Sequence, residues 1–541
     1  DLAHLPQDDP KVYAALQKAD TIGLFQVESR AQMSCLPRLK PRKFYDIVVQ
    51  VAIIRPGPIV GNMVNPFLKR RQGREAVTYP HPSLEAVLGR TLGVPLFQEQ
   101  LLRMAMITAN FTGGEAEELR RAMGFKRSEA RMKVIEEKLR AGMTRNGICG
   151  ETQEQIVQSI TSFALYGFPE SHAASFALIA YASAYLKGHY LAAFTAALLN
   201  NQPMGFYHPS TIVKDAQRHG LKMLPLDVTK SDWKCTLEPI PNPLIPQESV
   251  ILSGAKDLCI AGGRKLLMHR SFTPAVQDDK QEVGRLEFAV RLGLRYARGL
   301  REQAGQALVR ERSLAPFVSI QDLAHRVPEL RKDELTTLAE IGALNTIDSP
   351  RRHGDTERNT SRTSASIDKY LVEDVSHFDS EEKDSSVPLC LRREMGFHRR
   401  DALWQGEKAV RWSGPLLDGV PEGDAKSPLR AMTREERLVA DFHGTGLTVG
   451  PHPMQYRRAE MQRMGIYRAS DLQHLPNGRR LRIGGCVIAR QRPGTAKGMM
   501  FMSIEDETGI ANAIVAPDLL QKNRVLLISE RFLMVEGILQ N

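Results

Sequence analysis

Cysteine is scarce in this sequence, and its spacing is not that of a metal site. The 541 residues include six cysteines, and no pair follows the C-x-x-C pattern. They stand at Cys35, Cys149, Cys235, Cys259, Cys390 and Cys486. This spacing predicts neither a structural zinc site nor a disulfide framework, and it favours a reducing cytoplasm as the setting.

Several catalytic motifs are also missing. The sequence has no D-x-D triplet, so it offers no local pair of carboxylates of the kind that holds two metal ions on one strand. It has no H-x-H, no H-E-x-x-H, no G-x-x-x-x-G-K-[ST] and no G-x-S-x-G. These absences argue against the common metallohydrolases, P-loop nucleotide hydrolases and serine hydrolases.

No apolar stretch is long enough to predict a membrane span. The longest one runs from Ala173 to Leu186, includes two serines and stops at Lys187, short of the ~18 to 20 residues that a span needs. We expect the surrounding stretch, 171–201, to form buried helices. The first ten residues have no initiator methionine and neither a basic nor an apolar segment, so they do not predict a signal peptide.

The chain is basic and long enough for several domains. Lys and Arg number 73 against 62 Asp and Glu, which gives a formal charge of +11 and an isoelectric point near 9.3. An excess of this size favours a polyanionic partner, most simply nucleic acid, although membrane-surface and merely basic proteins share it. A chain of this length normally divides into about three or four domains.

The first 238 residues have a mostly helical pattern. Apolar residues at Leu101, Leu102, Ala105, Met106 and Ala109 follow the i, i+3, i+4 spacing of one helix face. Thr112 and Glu115 then form a capping-box pattern that opens the next helix, which we expect to end at Gly124.

Further along, the pattern changes three times. Segments 239–284 and 347–398 are poor in periodic apolar residues and are interpreted as insertions or disordered linkers. Between them, 285–346 has the length and helical pattern of two helix-hairpin-helix elements, or of plain helical hairpins. After a helical stretch, 476–541 alternates apolar and polar residues between turn signals, which predicts a small barrel of the oligonucleotide-binding type.

One basic cluster follows the capping-box helix. Arg120 and Arg121 stand in its last turns, and Lys126 and Arg127 follow them. Cations there offset the helix dipole, so a solvated basic face is one interpretation. The other is a triphosphate clamp, because arginine forks match phosphate oxygens and a lysine adds a point charge.

Further basic and polar candidates lie elsewhere. A second cluster comprises Arg55, Lys69, Arg70, Arg71 and Arg74, which suits a nucleic-acid backbone or an exposed helix end. His172 follows Ser171, a possible helix N-cap, and is a candidate phosphate contact or a structural histidine. In the strand region Arg490, Arg492 and Phe501 are candidates for single-stranded nucleic acid, although Phe501 also fits a core position.

Several blocks in one order carry a resemblance to a known family. They include GLFQVESRAQM, IIRPGPIVGNMVNPFLKRRQGRE, PLFQEQLLRMA, ELRRAMGFKR and YGFPESHAASFALIAYASAYLKGHY. In this order they resemble the bacterial C-family DNA polymerases, the alpha subunit of DNA polymerase III. Within that family, GLRYARGLREQAGQALVRER, GLTVGPHPM and RQRPGTAKGMMFMSIEDETGIANAIV are similar to the error-prone branch.

The resemblance implies a mainly helical multidomain fold with a C-terminal β-barrel of the oligonucleotide-binding type. Its parts would be the end of the palm and the fingers at 1–238, a tandem helix-hairpin-helix at 285–346, a helical connector at 399–475 and a truncated barrel at 476–541. Segments 239–284 and 347–398 would interrupt the family blocks.

The resemblance also implies an activity and partners. The activity is DNA-directed DNA synthesis in damage-induced mutagenesis and translesion synthesis, with Arg120, Arg121, Lys126 and His172 near the incoming nucleotide. Partners would be primer-template DNA, deoxynucleoside triphosphates, the sliding clamp and other proteins of the mutagenesis cassette. Mg²⁺ would be held by palm residues outside this chain, which alone would bind DNA without extending a primer. The alternative is a non-catalytic DNA-binding or scaffold protein derived from the same fold.

Overall fold

The chain divides into two compact units. In the computed structural model we describe residues 4–54, 64–124, 129–163, 168–205, 207–240, 287–347, 398–410, 427–492 and 498–540. The first unit combines residues 1–221 with 451–541, and the second consists of 222–450. The first unit is therefore discontinuous in sequence.

Helices dominate the chain up to residue 221. They are α1 (Pro10–Gln17), α2 (Arg30–Leu39), α3 (Phe44–Ile53), α4 (Val64–Arg71), α5 (Glu85–Leu88), α6 (Gln98–Ala109), α7 (Gly113–Gly124), α8 (Glu129–Arg145), α9 (Gly150–Phe163), α10 (Glu170–His189), α11 (Leu191–Asn200) and α12 (Pro209–Arg218).

The rest of the chain adds strands. The second unit has β1 (Met223–Leu224), β2 (Thr236–Pro239), β3 (Phe288–Arg291), α13 (Glu302–Leu314), α14 (Ile320–Arg326), α15 (Lys332–Glu340), α16 (Arg399–Ala409) and α17 (Arg434–Thr445). The first unit resumes with α18 (Pro453–Arg463), β4 (Ile466–Tyr467), β5 (Arg480–Gln491), β6 (Met500–Glu505), β7 (Ile510–Val515), α19 (Pro517–Lys522), α20 (Arg524–Ser529) and β8 (Phe532–Ile538).

The first hydrophobic core of unit 1 is built around α1, α2, α3 and α10. Val12, Leu16, Leu36 and Ile47 are fully buried in it. From α10 it receives mostly small residues, with Ala173, Ala177, Ala180 and Ala184 buried, whereas Leu178, Ile179 and Leu186 are exposed. The expectation of buried helices over 171–201 is therefore met on one face of α10 only, because its alanine face permits close packing and its bulkier face does not pack inward.

A second core is formed by the helices α6, α7, α8 and α9. It confirms part of the apolar stripe that the sequence predicted on α6. Leu101, Ala105 and Ala109 of the predicted stripe are buried, but Met106 is exposed. The predicted capping box of α7 is confirmed, since the Thr112 amide donates to Glu115 Oε2 at 2.7 Å and the Glu115 amide donates to Thr112 Oγ1 at 3.4 Å. Such a box satisfies amides that the first helical turn leaves without partners.

The start of α10 differs from the prediction that Ser171 is its N-cap. The helix begins at Glu170 with Pro169 as its N-cap residue, so Ser171 lies inside the first turn. The Glu170 amide donates to Glu99 Oε2 at 2.9 Å. A side chain from α6 thus takes the capping role, which a local sequence pattern does not reveal.

The C-terminal strands form a curled half-barrel. β5 is the central strand, pairing antiparallel with β6 through its second half and with β8 through its first, and β6 pairs with β7. Gly485 lies where β5 passes from pairing with β8 to pairing with β6, and an added Cβ there would be 2.4 Å from the Glu505 carbonyl oxygen. Glycine is needed there because two backbones come too close for a side chain.

The second unit combines a small sheet with a helical core. Its strands lie in the order β1, β3, β2, with β1 parallel and β2 antiparallel to β3. Leu308 of α13, Leu323 of α14 and Leu338 of α15 meet in the core, with no exposed surface. The helix content and the curled sheet agree with the predicted mainly helical fold with C-terminal strands.

Almost all of the two irregular segments, 239–284 and 347–398, lies outside the described residues. The predicted domain boundaries that depend on them stay predictions. Within the described ranges, none of the helices combines the length and apolarity that a bilayer crossing requires.

Candidate nucleotide and nucleic-acid interface

The two arginines of α7 share one carboxylate. Arg120 Nε and Nη2 donate to Glu117 Oε2 and Oε1 at 2.7 and 2.6 Å. Arg121 Nε donates to Glu117 Oε1 at 3.2 Å. Leu119 is buried in the core, whereas the side chains of Arg120 and Arg121 are exposed. The site therefore holds two cations and one anion.

The shared carboxylate is a strong acceptor. The hydrogen bond from Arg120 lowers the pKa of Glu117 to about 2, and that from Arg121 acts in the same direction. Glu117 in turn raises the pKa of Arg120. Glu117 and Arg120 are therefore both charged at neutral pH, and a phosphate ligand would compete with Glu117 for the arginines. Lys126 and Arg127 lie outside the described residues.

His172 lies in the first turn of α10 and is exposed. Its ring centroid is 5.2 Å from that of Phe168 and 4.1 Å from that of Phe176. Two aromatic neighbours hold the ring at a helix N-terminus, a place that favours anions. Its assignment to the nucleotide stays a prediction.

Arg70, from the second predicted cluster, is occupied within the fold. Its Nε donates to Glu75 Oε1 at 3.1 Å, and its Nη1 donates to the Leu92 carbonyl oxygen at 2.8 Å. Its Nη2 donates to Thr78 Oγ1 at 3.1 Å. These bonds close the loop after α4, so this side chain is engaged in structure. Lys69 is exposed, and Arg55 lies outside the described residues.

Two other members of that cluster, Arg71 and Arg74, lie in a groove of about 730 Å³. We call it the basic groove. Six cationic side chains line it, namely Arg38, Lys40, Arg42, Lys43, Arg71 and Arg74. The first four come from the end of α2 and the α2–α3 loop, so the fold brings together two stretches about thirty residues apart in sequence. The run RLKPRK at 38–43 was the available signal for these residues, and sequence analysis missed it.

The groove contains one carboxylate, and its charge is neutralised by groups within the groove. Asp46 Oδ2 accepts a hydrogen bond from Arg71 Nη2 at 2.7 Å. The same oxygen accepts from the backbone amides of Arg42 at 2.8 Å and Lys43 at 3.3 Å. Because Asp46 is 6% exposed, it presents little negative charge to solvent.

The three candidate residues on the half-barrel differ in their contacts and exposure. Arg490 Nε donates to the Leu527 carbonyl oxygen at 2.7 Å and its Nη2 to that of Glu530, which ties β5 to the end of α20. Arg492 is exposed, and Phe501 is half-buried beside Ile514 on β7. Arg492 and Phe501 thus present charge and an aromatic face at the surface, whereas Arg490 has a structural contact.

One group of possible metal ligands occurs among the described residues, and its surroundings do not fit a metal ion. Asp20, Asp215 and His219 offer ligand atoms within 4.8 Å of one another. Lys187 Nζ lies 2.8 Å from Asp20 Oδ1 and 2.8 Å from Asp215 Oδ2. The lysine ammonium already pairs with both carboxylates, so we assign no metal to this group.

The second unit carries a hairpin clamped by one buried acid. The turn before α13 needs Gly299 at φ +81°, a conformation that glycine adopts without strain. Glu334 Oε1 accepts from the Arg301 amide and from Arg301 Nε, both at 2.9 Å. Glu334 Oε2 accepts from the Arg331 amide at 2.7 Å. The acid joins the turn before α13 to the start of α15.

Two family models match separate parts of the chain. Residues 1–147 match the family model for the bacterial DNA polymerase III alpha subunit finger domain, and residues 220–354 match that for the helix-hairpin-helix motif. The chain is 42% identical to an error-prone DNA polymerase of Methylococcus capsulatus over 541 residues, which is 100% of this chain and 44% of the relative. It is 40% identical over 542 residues to an error-prone DNA polymerase of Pseudomonas syringae, again covering 100% and 44%.

A third relative gives the same picture. Error-prone DNA polymerase 2 of Rhizobium meliloti is 40% identical over 552 residues, covering 100% of this chain and 42% of the relative. The chain thus spans less than half the length of these curated relatives. The chain is thus similar along its whole length to proteins named error-prone DNA polymerase, and its residues 1–147 are similar to the finger domain of the bacterial DNA polymerase III alpha subunit.

Proposed function

We propose that this chain is the nucleotide-binding and DNA-binding part of an error-prone, DNA-directed DNA polymerase that acts in damage-induced mutagenesis and translesion synthesis. The observation that carries the proposal is identity of about 40% over the whole chain to proteins of that name. In this proposal residues 1–238 form the end of the palm and the fingers, and the matched helix-hairpin-helix region grips duplex DNA.

The reaction is attack of a primer 3′ hydroxyl on the alpha phosphorus of a deoxynucleoside triphosphate. Divalent ions, Mg²⁺ by family analogy, would stabilise the attacking and leaving oxygens, and the carboxylates that hold them would lie outside this chain. This assignment is supported by the absence of a D-x-D triplet from 1–541 and by the poor fit of the Asp20 group to a metal.

The chain's own contribution is to bind and orient the triphosphate. Arg120 and Arg121 present two guanidinium groups on the exposed side of α7, and a triphosphate would displace Glu117 from one or both. Arginine forks hold phosphate oxygens in pairs, which fixes the angle of the phosphate chain as well as its position. Lys126 and His172 complete the proposed nucleotide contacts.

The half-barrel supplies the proposed contact to single-stranded template. Its strand order and the helices between β7 and β8 support an oligonucleotide-binding fold. Arg492 and Phe501 are the proposed contacts, since charge follows the backbone while aromatic rings stack on bases. The sliding clamp and other proteins of the mutagenesis cassette are further proposed partners by family analogy.

Primer extension tests the proposal. The purified 541-residue chain is expected to bind primer-template DNA without extending it, whereas the longer polymerase that contains it extends the primer. Extension by the chain alone would contradict the placement of the carboxylates, and no extension by the longer protein would favour a DNA-binding or scaffold protein instead.

A matched pair of variants tests the nucleotide site. In the longer polymerase, Arg120→Ala with Arg121→Ala should raise KM for deoxynucleoside triphosphates by roughly 10-fold to 100-fold, as expected from loss of charge-assisted hydrogen bonds. Arg145→Ala, an exposed arginine on α8, is the control and should leave KM unchanged. If both changes affected KM equally, α7 would not be part of the nucleotide site.

A further inference from the structure

We propose that the basic groove binds the phosphodiester backbone of duplex DNA, as a site separate from the α7 arginines. The proposal names a DNA-contacting surface of the protein described above and rests on that function. The new contacts are Arg38, Lys40, Arg42 and Lys43, which act together with Arg71 and Arg74.

The first argument is uncompensated charge. Within the described part of the chain, no carboxylate pairs with Lys40, Arg42, Lys43 or Arg74, although all four line one groove and are exposed. Like charges that share a concave surface repel one another, and their fields add within it. A polyanion in the groove removes this repulsion.

The second argument is that the groove is held open without a ligand. Asp46 connects its two walls, since it accepts from Arg71 on α4 and from the amides of the α2–α3 loop. Gln72 Nε2 adds a bond of 3.0 Å to the Arg38 carbonyl oxygen. Both bonds join the end of α4 to the end of α2 or to the loop after it. The two segments that carry the cations are therefore held together before a ligand arrives, which lowers the entropy that binding must overcome.

The third argument concerns the kind of anion. The groove is lined by charged and polar side chains together with Leu39, and no aromatic residue is among them. A surface that binds single-stranded nucleic acid or a nucleobase normally offers aromatic rings for stacking. Cations spread over two stretches of chain instead suit successive phosphates, which are contacted without reading sequence.

The test is a salt titration of DNA binding by the 541-residue chain. A fluorescein-labelled duplex of mixed sequence is titrated by anisotropy between 50 and 200 mM NaCl, for the wild type and for Arg42→Ala with Arg74→Ala. Each lost phosphate contact should lower the slope of log K against log salt by about 0.9 for duplex DNA. The double variant should therefore lose about two units of slope and bind several-fold more weakly.

Two further variants test whether the loss of slope is specific to the groove. Lys18→Ala with Arg145→Ala removes the same charge from exposed positions outside the groove and should leave the slope unchanged. Arg42→Lys with Arg74→Lys keeps the charge and should retain most of the slope. Thermal unfolding of all variants should match the wild type, because the substituted side chains are exposed.

Four outcomes would overturn the proposal. They are an equal loss of slope in the groove and control variants, a larger loss with a single-stranded oligothymidylate than with the duplex, a loss confined to binding of free dATP, and no loss at all. Primer extension by the longer polymerase tests the proposed function separately. A finding that the groove does not bind DNA would therefore not contradict the proposed polymerase function.

Discussion

Arg218 on α12 donates from Nη2 to Oε1 of Glu505 on β6 at 2.8 Å, across 287 residues of sequence. The pair joins the last helix of the N-terminal stretch of unit 1 to its half-barrel. Glu505 is 3% exposed, and burial raises its pKa to about 7 although Arg218 and Lys214 lower it. His452 lies 4.0 Å away on the other side, with its own pKa lowered to about 3 by burial. A buried carboxyl in this setting titrates near neutrality.

Glu505→Gln is expected to change how stability depends on pH. The folded pKa of about 7 exceeds the ordinary value of 4.5, so the wild type binds more protons folded than unfolded between these values. Its stability should fall, relative to the variant, as pH rises from 4.5 to 7, by up to about 3 kcal/mol. Urea unfolding at several pH values measures this, with Glu302→Gln as an exposed control. A constant difference across this range would contradict the raised pKa.

Lys187→Met should destabilise unit 1 strongly. Lys187 is 6% exposed and its ammonium contacts Asp20, Asp215 and the Ile22 carbonyl oxygen. Removing the cation leaves Asp20 and Asp215 with His219 and Arg218 as their remaining basic neighbours, which costs about 3 to 5 kcal/mol at neutral pH. The deficit should shrink as pH falls, because protonation then removes the charge of the acids. Chemical unfolding checks this against Lys18→Met, an exposed lysine, and a deficit below 1 kcal/mol would be inconsistent with the pairing.

Glu334→Ala should loosen the hairpin of unit 2. Burial opposes ionisation of Glu334, but hydrogen bonds from Arg301 and from the Arg331 amide lower its pKa. Its stabilising effect is therefore present above the ordinary pKa and is lost as pH falls below it. We expect a loss of about 3 kcal/mol at pH 7 and a smaller one near pH 3. Hydrogen exchange of the Arg301 amide reports the hairpin directly, with Glu302→Ala as the control, and unchanged protection would refute the clamp.

Gly305→Ala should destabilise unit 2 although alanine favours helices. An added Cβ would lie 2.6 Å from Cε3 and 2.7 Å from Cζ3 of Trp233. Displacing that ring should cost about 1 to 3 kcal/mol, more than the ~1 kcal/mol of helix propensity gained. Denaturation followed by tryptophan fluorescence measures this, with Gln303→Ala in the same helix as control. A more stable variant would show that the ring moves freely.

Local patterns predicted much of the secondary structure and less of the site. The Thr112–Glu115 box was found because both residues act within one turn, and the strand region was found because β7 and the start of β8 alternate between buried and more exposed residues. The start of α10 was missed because its cap comes from Glu99, 71 residues before Glu170 in the sequence. The basic groove was missed for the same physical reason, since Arg42 and Arg74 become neighbours only through packing of α2, α3 and α4.

Because unit 1 is interrupted in sequence, its two parts are synthesised at different times. Residues 451–541 follow the whole of unit 2 in sequence, so a ribosome releases Glu505 long after Arg218 has emerged. During that interval Arg218 and Arg30, which donates to Ser503, have no partners from the half-barrel. Unit 2 is a continuous stretch and can fold while unit 1 waits. A truncation at residue 450 would thus remove the half-barrel from the unit that begins at the opposite end of the chain.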